Sequence, residues 1–395
     1  MQIYSYLYTI PYYIIFLILL LFSFLEYKGT LPKMKCLKVC SFIFIIFFCF
    51  RGFVGYDWMA YYPLFENVDY IGNLTSESFF VIIRNNSKPE PIEPGFILYT
   101  SIIKTIFNSW HAFVIITTLI PIISITYFIK RQSTNYAFSF AVFFVLYQVL
   151  LYDLMRNAMA VALFLFAVDF LYKKKYFQFV TLLLIGMTFH NSILLISPIL
   201  LIRNVKFSSW FLWALFLMVN IIFWLNYPVV SNILQLIVGY ALSDKLALTV
   251  ESYLDSDMGG RGFTLGYLVR IIVFIVIMHY RKNIIKNPKL IFLFNAYFIS
   301  ILISIGMTDL KVFTSRMEIN LFFPFIILYP YLLSVMNISR QRLFVSFLIL
   351  YCMFKIAGTY NTIMSEYETM FNGKTYDQQI GVKSYASEII KENNS

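Results

Sequence analysis

Arg51 and Asp57 frame the stretch Arg-Gly-Phe-Val-Gly-Tyr-Asp-Trp-Met-Ala-Tyr-Tyr (51–62), which begins where the apolar run Val39–Phe50 stops. A guanidinium is a planar fork that matches two oxygens of a phosphate. A nearby carboxylate can hold a sugar hydroxyl or take its proton. Tyr61 and the neighbouring rings add stacking surface. At headgroup depth, these residue types suit a charged or sugar-bearing lipid. The plainer reading is an interfacial anchor followed by a solvated loop charge.

Ionisable side chains inside apolar runs are costly and are functional candidates by default. Arg156 follows Asp153 by one helical turn. The two read as an intrahelical ion pair, or Arg156 faces a cavity and binds a diphosphate. His190 sits in Phe-His-Asn-Ser (189–192), inside the apolar run Tyr176–Ile202. It reads as a hydrogen-bonded structural histidine, or as a hydrogen-bond donor to a leaving phosphate or a general acid–base. Glu93 precedes Pro94-Gly95, where a glutamate at a helix N-terminus reads as a cap. Arg270 lies within another apolar run, and Arg316 with Glu318 lies just before Ile319–Met336. Arg316 and Glu318 read as an interfacial pair, or Arg316 as a further outer-facing cation; Arg270 must face protein or water. Arg51, Arg156, His190, Arg270 and Arg316 come from separate segments and map mostly to the outer half, which favours an outward-facing site for an anionic ligand. Asp169, at the inner end of its run, reads as neutralising Lys173–Lys175.

Neither a Walker A sequence nor a Rossmann glycine fingerprint is present, and no His/Cys/Asp/Glu spacing suggests a metal. The expectation is no metal and no cofactor. The four cysteines read as apolar fillers.

These residues are carried by a chain of 395 residues that is 60% apolar and only 13% charged. Apolar runs recur from end to end, most of them long enough to cross a bilayer. The fold class is therefore all-α, a polytopic integral membrane protein forming a single membrane domain over 1–395. The net charge of +11 does not point to nucleic acid. Its Lys and Arg cluster between apolar runs, at Lys28–Lys38, Lys130-Arg131, Lys173–Lys175, Arg203–Lys206, Arg281–Lys289 and Arg340–Arg342. The positive-inside rule makes those loops cytoplasmic. Three hydrophilic stretches are expected outside: 51–92, 227–262 and the C-terminal tail 361–395. Their charged parts hold more carboxylates than bases. This arrangement gives about ten transmembrane helices with both termini outside. Two apolar pieces break the parity unless they are re-entrant or half-spanning: Pro94–Phe107, and Tyr176–Ile202 with its break at His190-Asn191-Ser192. Irregular backbone at membrane depth survives only where it lines a protein cavity.

Five motifs occur in an order that resembles a known family: Arg-x-x-x-Gly-Tyr-Asp-x-x-x-Tyr (Arg51 to Tyr61), Glu-Pro-Gly-Phe (Glu93 to Phe96), Arg-Asn-Ala-Met-Ala (Arg156 to Ala160), Phe-His-Asn-Ser (Phe189 to Ser192) and Ser-Arg (Ser315-Arg316). Together they resemble the EpsG-like branch of Wzy-type polysaccharide polymerases, over about residues 40–360. Asn157 stands where that pattern has Gln. The resemblance implies a metal-independent glycosyltransferase of the bacterial inner membrane, with its active site facing the periplasm. Its substrate would be an undecaprenyl-diphosphate-linked oligosaccharide. The growing glycan would pass from that carrier to the non-reducing end of another lipid-linked repeat unit, building O-antigen, capsule or exopolysaccharide. A chain-length-determining co-polymerase is the partner to expect. Arg156, Arg316 and His190 would stabilise the diphosphate. Arg51 would assist or place the acceptor, Tyr61 and Arg270 would complete the binding set, and Asp57 or Glu93 would be the base. The alternatives are a flippase for lipid-linked oligosaccharide and an O-antigen ligase.

Overall fold

The computed structural model of the chain describes residues 2–75, 92–229, 231–233, 235, 263–308, 311–372 and 374–392. Residues 76–91 of the first expected outer loop and most of 227–262 lie outside them. Among the described residues the fold is all-α: extended pairing is confined to the isolated bridges Tyr4–Thr362 and Arg51–Thr369. The helices that matter below are α1 (Ile10–Tyr27), α2 (Lys33–Phe44), α3 (Trp58–Asn67), α4 (Pro94–Phe107), α5 (Trp110–Gln132), α6 (Tyr136–Tyr147), α7 (Met155–Tyr172), α8 (Tyr176–Phe189), α9 (Ser209–Trp224), α10 (Leu265–His279), α11 (Pro288–Gly306), α12 (Lys311–Asn320), α13 (Phe325–Val335), α14 (Ile338–Thr359) and α15 (Tyr376–Glu392).

Among the described residues, five helices are long and apolar enough to cross a membrane: Tyr6–Tyr27, α5, α7, α11 and α14. A sixth candidate is the broken pair Thr314–Asn320 and α13, bent by 59°. The chain is thus a multi-pass membrane protein. Other apolar runs of the sequence form shorter helices, α4, α6, α8, α9 and α10 among them. The 14 residues of α4 extend only about 21 Å, against a hydrocarbon core of about 30 Å. The run Tyr176–Ile202 breaks at His190, which is extended (φ −161°, ψ 123°) between α8 and the 3₁₀ segment Asn191–Ile202.

The described residues form two compact units, Met1–Ile193 with Tyr329–Ser395, and Leu194–Leu328. In the first, small residues let helices approach. Ala158, Ala160 and Ala162 of α7 are buried, and a side chain at Gly186 of α8 would lie 3.3 Å from the Ala160 carbonyl. Phe44, Phe47, Phe48, Phe140 and Phe144 pack as a ring cluster against Tyr12. Buried charges here close off helix ends. Both carboxylate oxygens of Glu26 accept main-chain N–H groups at the start of α6, from Tyr136 (2.8 Å) and Ala137 (2.9 Å). Lys104 Nζ donates to the carbonyls of Glu66 (2.7 Å) and Val68 (2.9 Å) at the end of α3, where the helix dipole favours a cation. Asp169 pairs with Arg131 (3.3 Å) and accepts from the Tyr127 hydroxyl, so it ties α7 to α5.

In the second unit α9 and α10 pack through stacked rings, Phe216 on Phe274 (3.8 Å) and Phe223 on Tyr267 (4.3 Å), and Phe298 of α11 meets Phe274 at a tilt (6.0 Å). Arg281 donates to Ser209 Oγ (3.1 Å) and the Phe207 carbonyl.

The C-terminal segment belongs to the first unit and packs on the 50–62 stretch. Gly52 N–H donates to Glu368 O (2.7 Å), Gly55 N–H to Met364 O (2.8 Å) and Met370 N–H to Phe50 O (3.0 Å). Tyr376 stacks on Tyr62 at 4.2 Å and meets Trp58 edge-on. Lys383 of α15 is fully buried, and its ammonium donates to Phe53 O.

Burial pushes Lys383 down to about 8 from an ordinary 10.5, against the opposing pull of Glu368 and Glu366. The unfolded chain therefore holds a proton that the native chain has released between about pH 8 and pH 10, and stability rises with pH across that window. Thermal unfolding of the detergent-solubilised protein should show this rise, and Lys383→Met should flatten it. An equal slope in the variant would remove Lys383 as the cause.

Candidate functional site

Four of the expected site residues meet in the first unit: Tyr61, Glu93, Arg156 and His190. Each comes from a different element. Tyr61 is on α3, Glu93 is the residue before α4, Arg156 is in the first turn of α7, and His190 is the break after α8. Glu93 is the hub. Its Oε2 accepts from Arg156 Nη1 (2.7 Å). Its Oε1 bonds His190 Nδ1 (2.7 Å) and accepts the Asn191 N–H (3.3 Å). Arg156 Nε donates to the Tyr61 hydroxyl (3.2 Å), with the guanidinium 6.0 Å from that ring. The Glu93 side chain is 7% exposed, Arg156 16% and His190 13%. Burial raises the Glu93 carboxyl, but the His190 hydrogen bond and the Arg156 charge outweigh it and hold the group below the usual carboxylate range. Glu93 does not use its side chain to cap α4.

Backbone choices explain the meeting. Pro94 starts α4 with a preset φ and no unpaired N–H. Gly95 lets the start of α4 touch the end of α8: a Cβ there would lie 2.2 Å from Thr188 Oγ1 and 2.7 Å from the Thr188 carbonyl. That contact brings Glu93 beside His190. Ser192 Oγ then reaches Asn157 Oδ1 (3.3 Å), next to Arg156.

Asp153 and Arg156 do not form the intrahelical pair considered from their spacing. Asp153 ends the short turn Val149–Tyr152 and Arg156 opens α7, with Leu154 non-helical between them. Arg156 goes to Glu93, while Asp153 accepts the N–H groups of Tyr56 (2.8 Å) and Asp57 (2.6 Å). Asp57 is the residue before α3, and its side chain does not cap that helix. Arg51 is 3% exposed, and its Nη1 donates to Phe48 O (2.5 Å) and Thr118 Oγ1 (2.7 Å). That carbonyl belongs to the π-helical turn Ile45–Cys49, whose wide spacing leaves backbone groups to be satisfied elsewhere. Arg270 and Arg316 belong to the second unit. There Arg270 Nη2 bonds both oxygens of Glu318 (2.9 and 3.0 Å), so Glu318 pairs across to α10. Arg316 is half-buried on α12.

The arrangement joins an ionised carboxylate, an imidazole with one ring nitrogen held, a guanidinium with its Nη2 edge outside these bonds, and a phenol. Such a set can orient a proton carrier and present positive charge to an anion. Two features had no recognised signal in the sequence. The amide-binding role of Asp153 is hinted at only by a glycine before Tyr56-Asp57. The docking of 361–392 depends on contacts from far along the chain.

Gly95→Ala should force α4 and α8 apart and cost about 1–3 kcal/mol, read as a lower denaturation midpoint in detergent. A variant as stable as the parent would show that the close approach does not hold these helices together.

Comparison with curated proteins and with solved structures gives no match. Residues 34–370 match the EpsG family and include Arg51, Tyr61, Glu93, Arg156 and His190. The chain belongs to the EpsG family, and with it to membrane proteins of broadly polysaccharide-polymerase type.

Proposed function

We propose that the protein is a polysaccharide repeat-unit polymerase of the bacterial inner membrane, with its site on the periplasmic face. It transfers a glycan from undecaprenyl diphosphate to the non-reducing end of a second lipid-linked repeat unit. The observation that carries this reading is the Arg156–Glu93–His190 network, with Tyr61 on the arginine.

In the reaction an acceptor hydroxyl attacks the anomeric carbon. The bond from that carbon to the diphosphate oxygen breaks, and the hydroxyl proton leaves. Both oxygens of Glu93 are engaged, so Glu93 serves better as an orienting group than as the base. It holds His190 by Nδ1, which leaves Nε2 to accept the proton, as in other carboxylate-oriented histidines. Arg156, kept in place by Glu93 and Tyr61, meets the negative charge that grows on the leaving diphosphate. Asp57 takes a supporting place near the acceptor, beside Tyr61 on α3. The charge is met by arginine, so the reading calls on no metal. A separate co-polymerase would set chain length.

The test is complementation of a strain lacking this chain, with wild type and Arg156→Ala at matched membrane levels. Wild type should restore a glycan ladder where the deletion leaves single repeat units. Arg156→Ala should cut transfer by on the order of 10²–10³-fold, the range seen when one donor to a developing anion is lost. Repeat units trapped on the cytoplasmic side would mean a flippase. Polymer made but never joined to lipid A would mean a ligase.

A further inference from the structure

Asp153 is 7% exposed and takes no part in the Arg156–Glu93–His190 network. Its Oδ1 instead accepts two consecutive main-chain N–H groups, from Tyr56 and Asp57. Its own carbonyl accepts the N–H of Met155 (2.9 Å), the first residue of α7. One residue thus grips the loop before α3 with its side chain and the start of α7 with its backbone. Four residues after Asp57 along α3, and bonded to it through the Tyr61 N–H (2.9 Å), Tyr61 returns to Arg156 of α7. The path closes on itself: Asp153, Asp57, Tyr61, Arg156, Met155, Asp153.

Gly55 makes the grip possible. Its φ is +90°, a region open to glycine. A Cβ there would lie 2.7 Å from Asp153 Oδ1 and 3.0 Å from the Tyr152 ring. On its other side Gly55 donates to Met364 O (2.8 Å), so the loop is held from both directions. Two main-chain amides on one buried carboxylate oxygen fix the side chain against the loop.

We propose that Asp153 is a positioning residue for glycosyl transfer, holding Asp57 and Tyr61 in register with Arg156 through the Gly55 loop. This rests on the polymerase reading above. Asp153 does not touch substrate. It acts by keeping the acceptor-side loop and the diphosphate-side arginine at one separation.

The experiment uses the full-length protein in detergent. Its probe is the single-repeat lipid fraction extracted from a strain lacking this chain. Asp153→Ala should lower kcat by about 100-fold, the penalty of a displacement near 1 Å, with KM changed little. Asp153→Asn retains an acceptor oxygen and should recover most of the rate. Gly55→Ala breaks the same grip, so the double variant Gly55→Ala/Asp153→Ala should be no slower than the slower single one. Variants are compared at equal unfolding midpoint and monodispersity. If Asp153→Ala does not fold, Gly55→Ala and Asp153→Asn carry the comparison. The proposal is overturned by an unchanged kcat in folded Asp153→Ala, by Asp153→Asn as slow as Asp153→Ala, by Gly55→Ala at the wild-type rate, or by strictly multiplicative losses in the double variant. A wild type that does not lengthen the lipid-linked unit overturns the polymerase reading itself and this proposal with it. An active wild type with a normal Asp153→Ala overturns the positioning role alone.

Discussion

A guanidinium shielded from water needs acceptors, and Arg156 finds a carboxylate in Glu93, from a segment far from it in the chain. Leaving one member of such a pair alone costs on the order of 3–5 kcal/mol. That cost ties together the elements carrying it. Glu93 must precede α4, α4 must meet α8 at Gly95, and α8 must end at His190 for the second carboxylate oxygen to be used. Tyr61 holds the Nε side of the arginine. The result is a polar cluster with fixed neighbours, whose Tyr61 ring packs on Phe96 (5.5 Å) in an apolar cluster that includes Phe113.

The other arginines expected to act at the site have different solutions. Arg51 turns inward, to a carbonyl of a π-helical turn and to Thr118 of α5. Arg270 takes Glu318 within the second unit. Each case obeys the same constraint, because a cation removed from bulk water collects whatever acceptors the fold offers. Which acceptor it finds decides whether a charge joins helices or remains available to a ligand.

The C-terminal segment shows how a polar stretch of chain is ordered by packing on a loop. It joins the 50–62 loop by backbone hydrogen bonds, by the Tyr62–Tyr376 stack and by buried Lys383. The family match ends at residue 370, so α15 lies beyond it. In this chain the loop bearing Asp57 and Tyr61 is therefore braced from two sides, by Asp153 and by a helix outside the matched region.

Much could be read from the sequence alone. Long apolar runs dictate membrane helices, since a backbone in lipid must satisfy itself internally. The order of the Gly-Tyr-Asp, Glu-Pro-Gly, Arg-Asn and Phe-His-Asn-Ser motifs carried the family resemblance. The break at His190 was visible as polar residues inside an apolar run. Partners were not visible. Arg156 has Asp153 one turn before it, and spacing alone favours that pair, yet the backbone kinks at Leu154 and sends the two side chains to different neighbours. Lys383 and Glu368 look like ordinary tail charges until α15 docks. Sequence by itself determined which residues could not rest in lipid unpaired. Tertiary structure decided which of them meet, because pairing depends on helix breaks and glycine contacts between segments that are distant in the chain.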